Sequence, residues 1–243
     1  MAQFRQGLDG FTATLFDLDG VLTPTAVVHR HAWATMFNDF LAQNFPSQQP
    51  YTDLDYYAYV DGKPRFDGVR DFLAARGLSL PEGDPSDSPE ANSVCGLGNR
   101  KNLAFRAVLE AEGVAAYPGS VQFVKHLAGS GMAMAVVSSS ANADAVLRAA
   151  GLRDFFPVLV DAQRASEEGL PGKPAPDTFL RAAELLAVAP RQAIVFEDAV
   201  SGVAAGRAGG FGLVVGVDRG AGADQLLASG ADTVVTDLAE LLP

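Results

Sequence analysis

The sequence predicts an α/β protein with a doubly wound parallel sheet and a helical domain inserted after the first strand. From Tyr117 onward, short apolar runs alternate with stretches whose apolar residues recur at helical spacing. That alternation is typical of a parallel sheet covered by helices on both faces. One further apolar run, 12–17, stands apart, and the segment between it and Tyr117 has a different texture. We therefore expect an α/β core of 1–24 and 117–243 and a helical cap domain of 25–116.

The inserted segment begins with a helical pattern at 26–42. Two stretches after this helix are expected to be irregular. Residues 46–64 contain several tyrosines, aspartates and prolines. Residues 77–98 are rich in Gly, Pro, Ser and acidic residues, a composition typical of loops. Two further helices are predicted beside these stretches, at 66–76 and at 98–112.

In the core, predicted helices and strands follow one another regularly. The helices are expected at 118–129, 142–150, 176–187, 199–208 and 222–229. The strands after them are expected at 132–138, 157–161, 192–197 and 211–216, with a short last strand at VVT. Ligands of such sheets bind beyond the carboxyl ends of the strands. Polar residues at those ends are therefore candidate site residues.

Composition argues against several classes of function. The chain has 243 residues and a formal net charge of −11, which argues against a nucleic-acid surface because phosphate binding needs clustered Lys and Arg. The single cysteine, Cys95, fits a reducing cytoplasm. No stretch resembles a signal peptide or approaches the ~20 apolar residues of a membrane span. We expect a cytoplasmic monomer that binds neither nucleic acid nor membrane.

Polar residues close three predicted strands and one loop. The first strand leads into Asp17 and Asp19, and the run MAMAVVS ends in Ser138. Lys173 lies in the loop GLPGKPAPDT, and the run QAIVFED ends in an acidic pair. Carboxylates gathered in one crevice repel each other and need a cation, and Mg²⁺ prefers oxygen ligands.

Each of these residues also has a structural explanation. A lone aspartate at a strand end is usually a helix cap or a loop residue. Ser138 could cap the helix that starts near Asn142, Lys173 could be an ordinary surface lysine, and the acidic pair could cap the next helix. Their joint order along one α/β pattern favours a common site.

Four segments carry a family resemblance. DLDGVLT, the serine that ends MAMAVVS, GKPAPDTF and FEDAVSGVAAGRAG occur in this order and resemble the four motifs of the haloacid dehalogenase superfamily. The resemblance spans nearly the whole chain and is closest to β-phosphoglucomutase and related sugar-phosphate phosphatases. It implies Mg²⁺-dependent phosphoryl transfer from a small phosphosugar through an aspartyl-phosphate. The insertion after the first motif is similar to that of subfamilies with a helical cap.

The resemblance also implies a role for each core residue. Asp17 would be the nucleophile and Asp19 the general acid and base. Residues i and i+2 of an extended chain point to the same side, so both carboxylates can face one phosphoryl group. Ser138 would bind a phosphate oxygen, and Lys173 would supply positive charge and restrain Asp17. The implied Mg²⁺ ligands are the carboxylates of Asp17, Glu197 and Asp198 and the backbone carbonyl of Asp19.

Substrate choice is expected in the cap. Thr25 and His29 stand at the spacing seen in β-phosphoglucomutase, where the histidine is thought to couple substrate binding to cap closure. Arg65 and Lys101 resemble the cap cations that hold a second, non-transferring phosphate. The alternatives are a surface histidine for His29 and solvated charges for the two cations.

The loop after the second motif matches the mutase pattern only in part. Ser139 and Asn142 are implied to bind substrate, but Ala141 stands where the mutase pattern has a lysine. This departure keeps a plain phosphatase open. Dehalogenation is disfavoured, because dehalogenases lack an acid at the place of Asp19. A non-catalytic phosphosugar-binding module is the alternative from a different class.

Overall fold

The computed structural model of the chain describes residues 10–243. Residues 1–9, which we assign to the core domain and where we expect no signal peptide, lie outside the described residues. The described residues form a parallel sheet of six strands in the order β3-β2-β1-β4-β5-β6. The strands are β1 (Ala13–Phe16), β2 (Ala133–Val137), β3 (Val158–Val160), β4 (Ala193–Glu197), β5 (Leu213–Val217) and β6 (Thr233–Val235). The predicted doubly wound α/β fold is confirmed.

The chain divides into two compact units. The first combines the N-terminal segment through Pro24 with Val114–Pro243, and the second is Thr25–Gly113. The helices of the first unit are α5 (Pro118–Gly129), α6 (Ala143–Ala149), α7 (Ala162–Glu167), α8 (Asp177–Leu185), α9 (Val200–Ala208) and α10 (Ala223–Ala228). Those of the second are α1 (Thr25–Asn44), the single turn α2 (Asp53–Asp55), α3 (Arg65–Ala75) and α4 (Val94–Glu112). The function of the second unit as a cap stays a prediction.

The centre of the sheet is buried on both faces, because every residue of β1 and β4 is buried. Phe16 of β1 stacks on Phe196 of β4, with ring centroids 4.8 Å apart. Phe123 of α5 and Phe156 meet the Phe16 ring edge-on at 6.3 and 5.8 Å. Strands without a solvent face have continuous apolar sequences. The runs TLF of β1 and IVF of β4 therefore predict buried strands.

The inserted unit has its own aromatic core. Phe37 of α1 packs against Trp33, Tyr51 and Phe72, with ring centroids 4.1–5.2 Å apart. Helix α1 packs on α4, and α3 packs on α4 and on the π-helical turn Tyr56–Val60. Among the described residues, no helix is long and apolar enough to span a membrane.

Helices α4 and α7 differ from the sequence prediction, and so does the single turn α2, which lies in the stretch 46–64 that was predicted to be irregular. Helix α4 begins at Val94, where Ser93 Oγ accepts a hydrogen bond from the Gly96 amide at 2.9 Å. Its first turns contain glycines because a Cβ at Gly98 would lie 2.7 Å from the Phe66 ring. Helix α7 was not predicted, and it begins after Asp161, whose Oδ1 accepts from the Arg164 amide at 2.9 Å.

Candidate active site

The strand order of the sheet reverses between β1 and β4, which is where ligands bind in doubly wound sheets. Asp17 follows β1 directly, and Glu197 is the last residue of β4. Phe16 lies opposite Phe196 in the parallel register, and the Asp17 amide donates to the Phe196 carbonyl at 2.9 Å. Parallel pairing therefore brings these two carboxylates to the same edge of the sheet.

The side chain of Lys173 joins the two carboxylates. Its Nζ lies 2.6 Å from Asp17 Oδ1 and 2.6 Å from Glu197 Oε1. It also donates to the Val137 carbonyl at the end of β2, at 3.0 Å. The Lys173 side chain is 1% exposed, and those of Asp17 and Glu197 are 8% and 0% exposed. The three charges are therefore held away from bulk water.

The ionisation of this cluster reflects burial and its neighbours. Burial raises the pKa of Asp17 well above its usual range, Lys173 lowers it, and the negative charges of Glu197 and Asp19 raise it. Burial by itself would lower the pKa of Lys173, but Asp17 and Glu197 outweigh that effect and hold the pKa above its ordinary value. Lys173 is therefore a permanent cation at neutral pH.

The loop after β2 supplies the predicted serine. The Ser138 amide donates to the Val160 carbonyl at 3.0 Å, which continues the pairing of β2 with β3. Ser138 Oγ donates to Asp19 Oδ2 at 3.3 Å and accepts from the Ser140 amide at 3.1 Å. The structure thus brings Ser138 and Asp19 together.

Two other predicted residues belong to the same loop. Ser139 follows Ser138, and Asn142 directly precedes α6. The backbone N–H of Asn142 donates to Ser140 Oγ at 3.2 Å. Local side-chain bonds of this type order a turn without help from a strand or helix. Ser140, which we did not select from sequence, accordingly organises the loop that contains both predicted substrate-binding residues.

Two glycines make room for the acidic pair, and neither is among the predicted site residues. Gly20 has a φ of +93°, and a Cβ there would lie 1.8 Å from Asp198 Oδ2. A Cβ at Gly202 in α9 would lie 1.7 Å from Glu197 Oε1. The signal was present in DLDG and EDAVSG, where a glycine follows the acids at short spacing.

The excess negative charge of this site fits a hard divalent cation. One ammonium group, that of Lys173, stands among the acidic side chains of Asp17, Asp19 and Glu197. Asp198 is 7% exposed, and its carboxylate lies against Gly20, the residue after Asp19. Carboxylate and carbonyl oxygens are the donors that Mg²⁺ prefers. The oxygen donors present at this site are therefore of the type that binds magnesium.

Glu197 has other partners besides a metal. Its Oε1 faces Lys173, and its Oε2 accepts from the Ala199 amide at 3.0 Å. Within residues 10–243, no three His, Cys, Asp or Glu side chains are already grouped as a metal-binding cage. The individual ligands, Glu197 included, stay predictions.

In the inserted unit, two predicted residues contact each other. Lys101 of α4 lies with its Nζ 2.5 Å from His29 Nδ1 on α1. The His29 ring stacks on Phe105, with centroids 3.9 Å apart and planes 8° from parallel. Lys101 Nζ also lies 4.9 Å from the ring centroid of Trp33, and Lys101 is 5% exposed. Lys101 is therefore a buried cation among aromatic rings, as cation–π contacts favour.

Arg65 and Thr25 lie at the starts of two helices of this unit. Thr25, the first residue of α1, is 1% exposed, and Arg65 is the first residue of α3. Arg65 Nη2 donates to Asn99 Oδ1 at 3.0 Å. The Asn99 amide nitrogen donates in turn to the carbonyls of Pro85 and Asp87 at 3.0 and 2.9 Å. Asn99, which sequence reasoning missed, thus orients Arg65.

Fold and site together define a class of protein, namely a doubly wound α/β enzyme with acidic side chains and a buried lysine at its strand ends. The family model of haloacid dehalogenase-like hydrolases matches residues 11–210. The chain belongs to the haloacid dehalogenase-like hydrolase family, and it is an enzyme of the phosphatase and phosphomutase type. The predicted family is confirmed, and the non-catalytic alternative is set aside.

Two relatives agree with this membership, and one solved structure shares the fold. A β-phosphoglucomutase of Mycobacterium bovis is 51% identical over 240 residues, covering 95% of this chain and 91% of the relative. A fructose-1-phosphate phosphatase of Escherichia coli is 32% identical over 205 residues, covering 84% and 95%. The crystal structure of a β-phosphoglucomutase from Clostridium difficile has the same fold, with a TM-score of 0.75 at 24% identity, covering 95% and 93%.

Substituting Gly202 by alanine should destabilise the protein. The new Cβ would clash with Glu197 Oε1 at 1.7 Å, and overpacking of this kind costs about 1–3 kcal/mol. Gly129→Ala in α5 is the matched control, because nothing lies within 4 Å of its Cβ position and alanine is the better helix former. Thermal unfolding should show a lower Tm for Gly202→Ala and an unchanged or higher one for Gly129→Ala. Equal Tm values would contradict the tight fit around Glu197.

Proposed function

We propose that this protein transfers the phosphoryl group of a small phosphosugar through a phosphorylated Asp17. A β-phosphoglucomutase activity is the first candidate, and a sugar-phosphate phosphatase is the alternative. The observation that carries the proposal is the buried Asp17 carboxylate at the sheet's switch point, held at Oδ1 by Lys173. The 51% identity to a mycobacterial protein named β-phosphoglucomutase favours the mutase.

In the proposed first step, a carboxylate oxygen of Asp17 attacks phosphorus. A bond forms between that oxygen and phosphorus, and the bond from phosphorus to the leaving sugar oxygen breaks. Lys173 restrains the carboxylate through its contact with Oδ1, so the nucleophile needs little reorientation. Asp19 delivers a proton to the leaving oxygen. Ser138, which donates to Asp19 Oδ2 at 3.3 Å, orients that acid until its hydroxyl turns to a phosphate oxygen.

In the second step, the phosphoryl group leaves Asp17 for an acceptor hydroxyl. Asp19, now deprotonated, removes the proton of that hydroxyl, which belongs to a sugar in the mutase and to water in the phosphatase. Asp17 is regenerated as a carboxylate, and its pairing with Lys173 stabilises that charge. A Mg²⁺ ion held by Asp17, Asp198, Glu197 and the Asp19 carbonyl would neutralise phosphate charge at this site.

The two versions differ in what reaches the aspartyl-phosphate. A mutase must retain a bisphosphate and exclude water, whereas a phosphatase admits water. In the loop after β2, Ala141 stands where the mutase pattern has a lysine, so this chain lacks that cation.

We propose that Arg65 and Lys101 of the inserted unit recognise the part of the substrate that is not transferred, together with Thr25 and His29. Ser139 and Asn142 would contact substrate from the loop after Ser138.

Asp17→Asn should abolish turnover and leave the fold intact, because the amide keeps the shape of the side chain but is a poor nucleophile. The assay is phosphorus NMR with β-glucose 1-phosphate, glucose 1,6-bisphosphate as primer and Mg²⁺. Glucose 6-phosphate would indicate the mutase and free phosphate the phosphatase. Asp154→Asn, an exposed site in the same unit, serves as control and should react normally. Turnover by Asp17→Asn at the wild-type rate would exclude the proposed chemistry.

Mg²⁺ should raise the thermal stability of the protein, because it relieves repulsion among buried carboxylates. Binding at a hundred times Kd stabilises a folded state by about 2.7 kcal/mol. Asp198→Asn should lose most of the Mg²⁺-induced rise in Tm, and Asp154→Asn should retain it. The measurement is thermal unfolding with and without Mg²⁺ at constant ionic strength. A full Mg²⁺ response in Asp198→Asn would place the ligands elsewhere.

Arg65→Ala should weaken the use of substrates with a second anionic group. Hydrogen bonds to charged groups contribute about 1.5–3 kcal/mol, so kcat/KM for glucose 1,6-bisphosphate should fall roughly tenfold to a hundredfold. Hydrolysis of p-nitrophenyl phosphate, which has no second anionic group, should change little. Lys63→Ala is the control, because Lys63 is paired with Asp71 at 2.7 Å. A loss of equal size on both substrates would show that Arg65 serves the fold and not distal recognition.

A further inference from the structure

The loop after Asp19 is held by three groups from elsewhere in the first unit. The carbonyls of residues 20–22 each accept a hydrogen bond from a different donor. The donors are Arg219 Nε at 2.9 Å, Ser120 Oγ at 2.7 Å and the Tyr117 amide at 3.0 Å, in that order. Three successive carbonyls with outside partners leave this loop little freedom to shift.

Arg219 is the donor with the most demanding geometry. It lies two residues beyond β5, and its Nη1 donates to the Thr236 carbonyl at 2.7 Å while Nε binds the Gly20 carbonyl. Its guanidinium carbon lies 3.9 Å from the ring centroid of Tyr117, and Nη2 lies 4.0 Å from Asp237 Oδ2. One planar group thus ties three separate segments of the unit together.

The Gly20 residue connects Arg219 to the acidic side chains. Gly20 directly follows Asp19, and the missing Cβ of Gly20 is what allows the carboxylate of Asp198 to lie beside it. A shift of the Gly20 peptide would therefore displace Asp19 and would change the space available to the Asp198 carboxylate. Within residues 10–243, the contacts of Arg219 are with Gly20, Tyr117, Thr236 and Asp237, and none of these residues has a proposed part in the chemistry.

We propose that Arg219 is a positioning residue, which fixes the Gly20 peptide and thereby the placement of Asp19 and Asp198. The inference rests on the proposed phosphoryl transfer. An arginine is required because its rigid fork donates to two carbonyls at once and its plane covers an aromatic ring. A lysine keeps the charge but offers no fixed fork, so it cannot hold the carbonyls of Gly20 and Thr236 together.

Arg219→Lys tests this role, and Arg207→Lys is its matched control. Arg207 also donates from Nε to a glycine carbonyl, that of Gly230 at 2.9 Å, and pairs with Asp232 at 2.5 Å. Both variants keep their charge and lose a comparable bidentate contact. The Tm of each variant measures how much stability the lost contacts cost. If Arg219→Lys folds poorly, Arg219→Gln serves as a second variant.

Three measurements distinguish a positioning role of Arg219 from a purely structural one. In Arg219→Lys, kcat with p-nitrophenyl phosphate should fall roughly tenfold to a hundredfold, the cost of a small misplacement of reacting groups, with KM nearly unchanged. Mg²⁺ binding, measured by calorimetry, should weaken, and amide hydrogen exchange at residues 20–23 should accelerate. Arg207→Lys should change none of the three.

The outcomes also separate this inference from the proposed function. If Arg219→Lys keeps the wild-type kcat and Mg²⁺ affinity, or loses no more than Arg207→Lys, then Arg219 only braces the fold and the inference is overturned. If the wild-type protein turns over no phosphate ester, the proposed function fails instead. The positioning role is then decided by Mg²⁺ affinity and loop exchange, and unchanged values in Arg219→Lys overturn it.

Discussion

A single ammonium group buried between two carboxylates organises the edge of the sheet where β1, β2 and β4 end. Lys173 contacts Asp17 after β1, Glu197 at the end of β4 and the Val137 carbonyl at the end of β2. Removing one partner from such a cluster would leave an uncompensated buried charge, which is far more costly than losing a surface ion pair. The relative positions of three strand ends therefore depend on this contact, and so does the orientation of the proposed nucleophile.

Space is the second constraint on the same site. The carboxylates of Glu197 and Asp198 occupy places where side chains at Gly202 and Gly20 would clash. Acidic groups can be gathered this closely only if the backbone approaches them without a Cβ and a cation offsets their repulsion. Lys173 supplies part of that charge from the protein, and the remaining negative charge is the physical reason for proposing Mg²⁺.

The buried cation of the inserted unit has a different environment from that of Lys173. Its buried cation, Lys101, is surrounded by aromatic rings and by His29, and Arg65 is oriented by the amide of Asn99. These are groups suited to recognising an anion, whereas the sheet unit holds the carboxylates suited to reacting with one. If the proposed roles are right, recognition and reaction lie in different units, and such a separation would allow substrate choice to change without altering the strand ends.

Local patterns in the sequence were sufficient for the fold and for naming the residues at its strand ends. Buried parallel strands are continuous apolar runs, so β1 and β4 and the acids after them could be read directly. The glycine-containing start of α4 could not, because a contact with Phe66 decides it. The Asp161 cap of α7 spans only three residues, so it is a local signal that the prediction missed. The family resemblance implied that Lys173 restrains Asp17, but only the tertiary structure decided that Lys173 also contacts Glu197 and that Arg219 holds the Gly20 carbonyl. Such contacts join residues far apart in the chain, and their energies depend on burial and distance, which no local pattern contains.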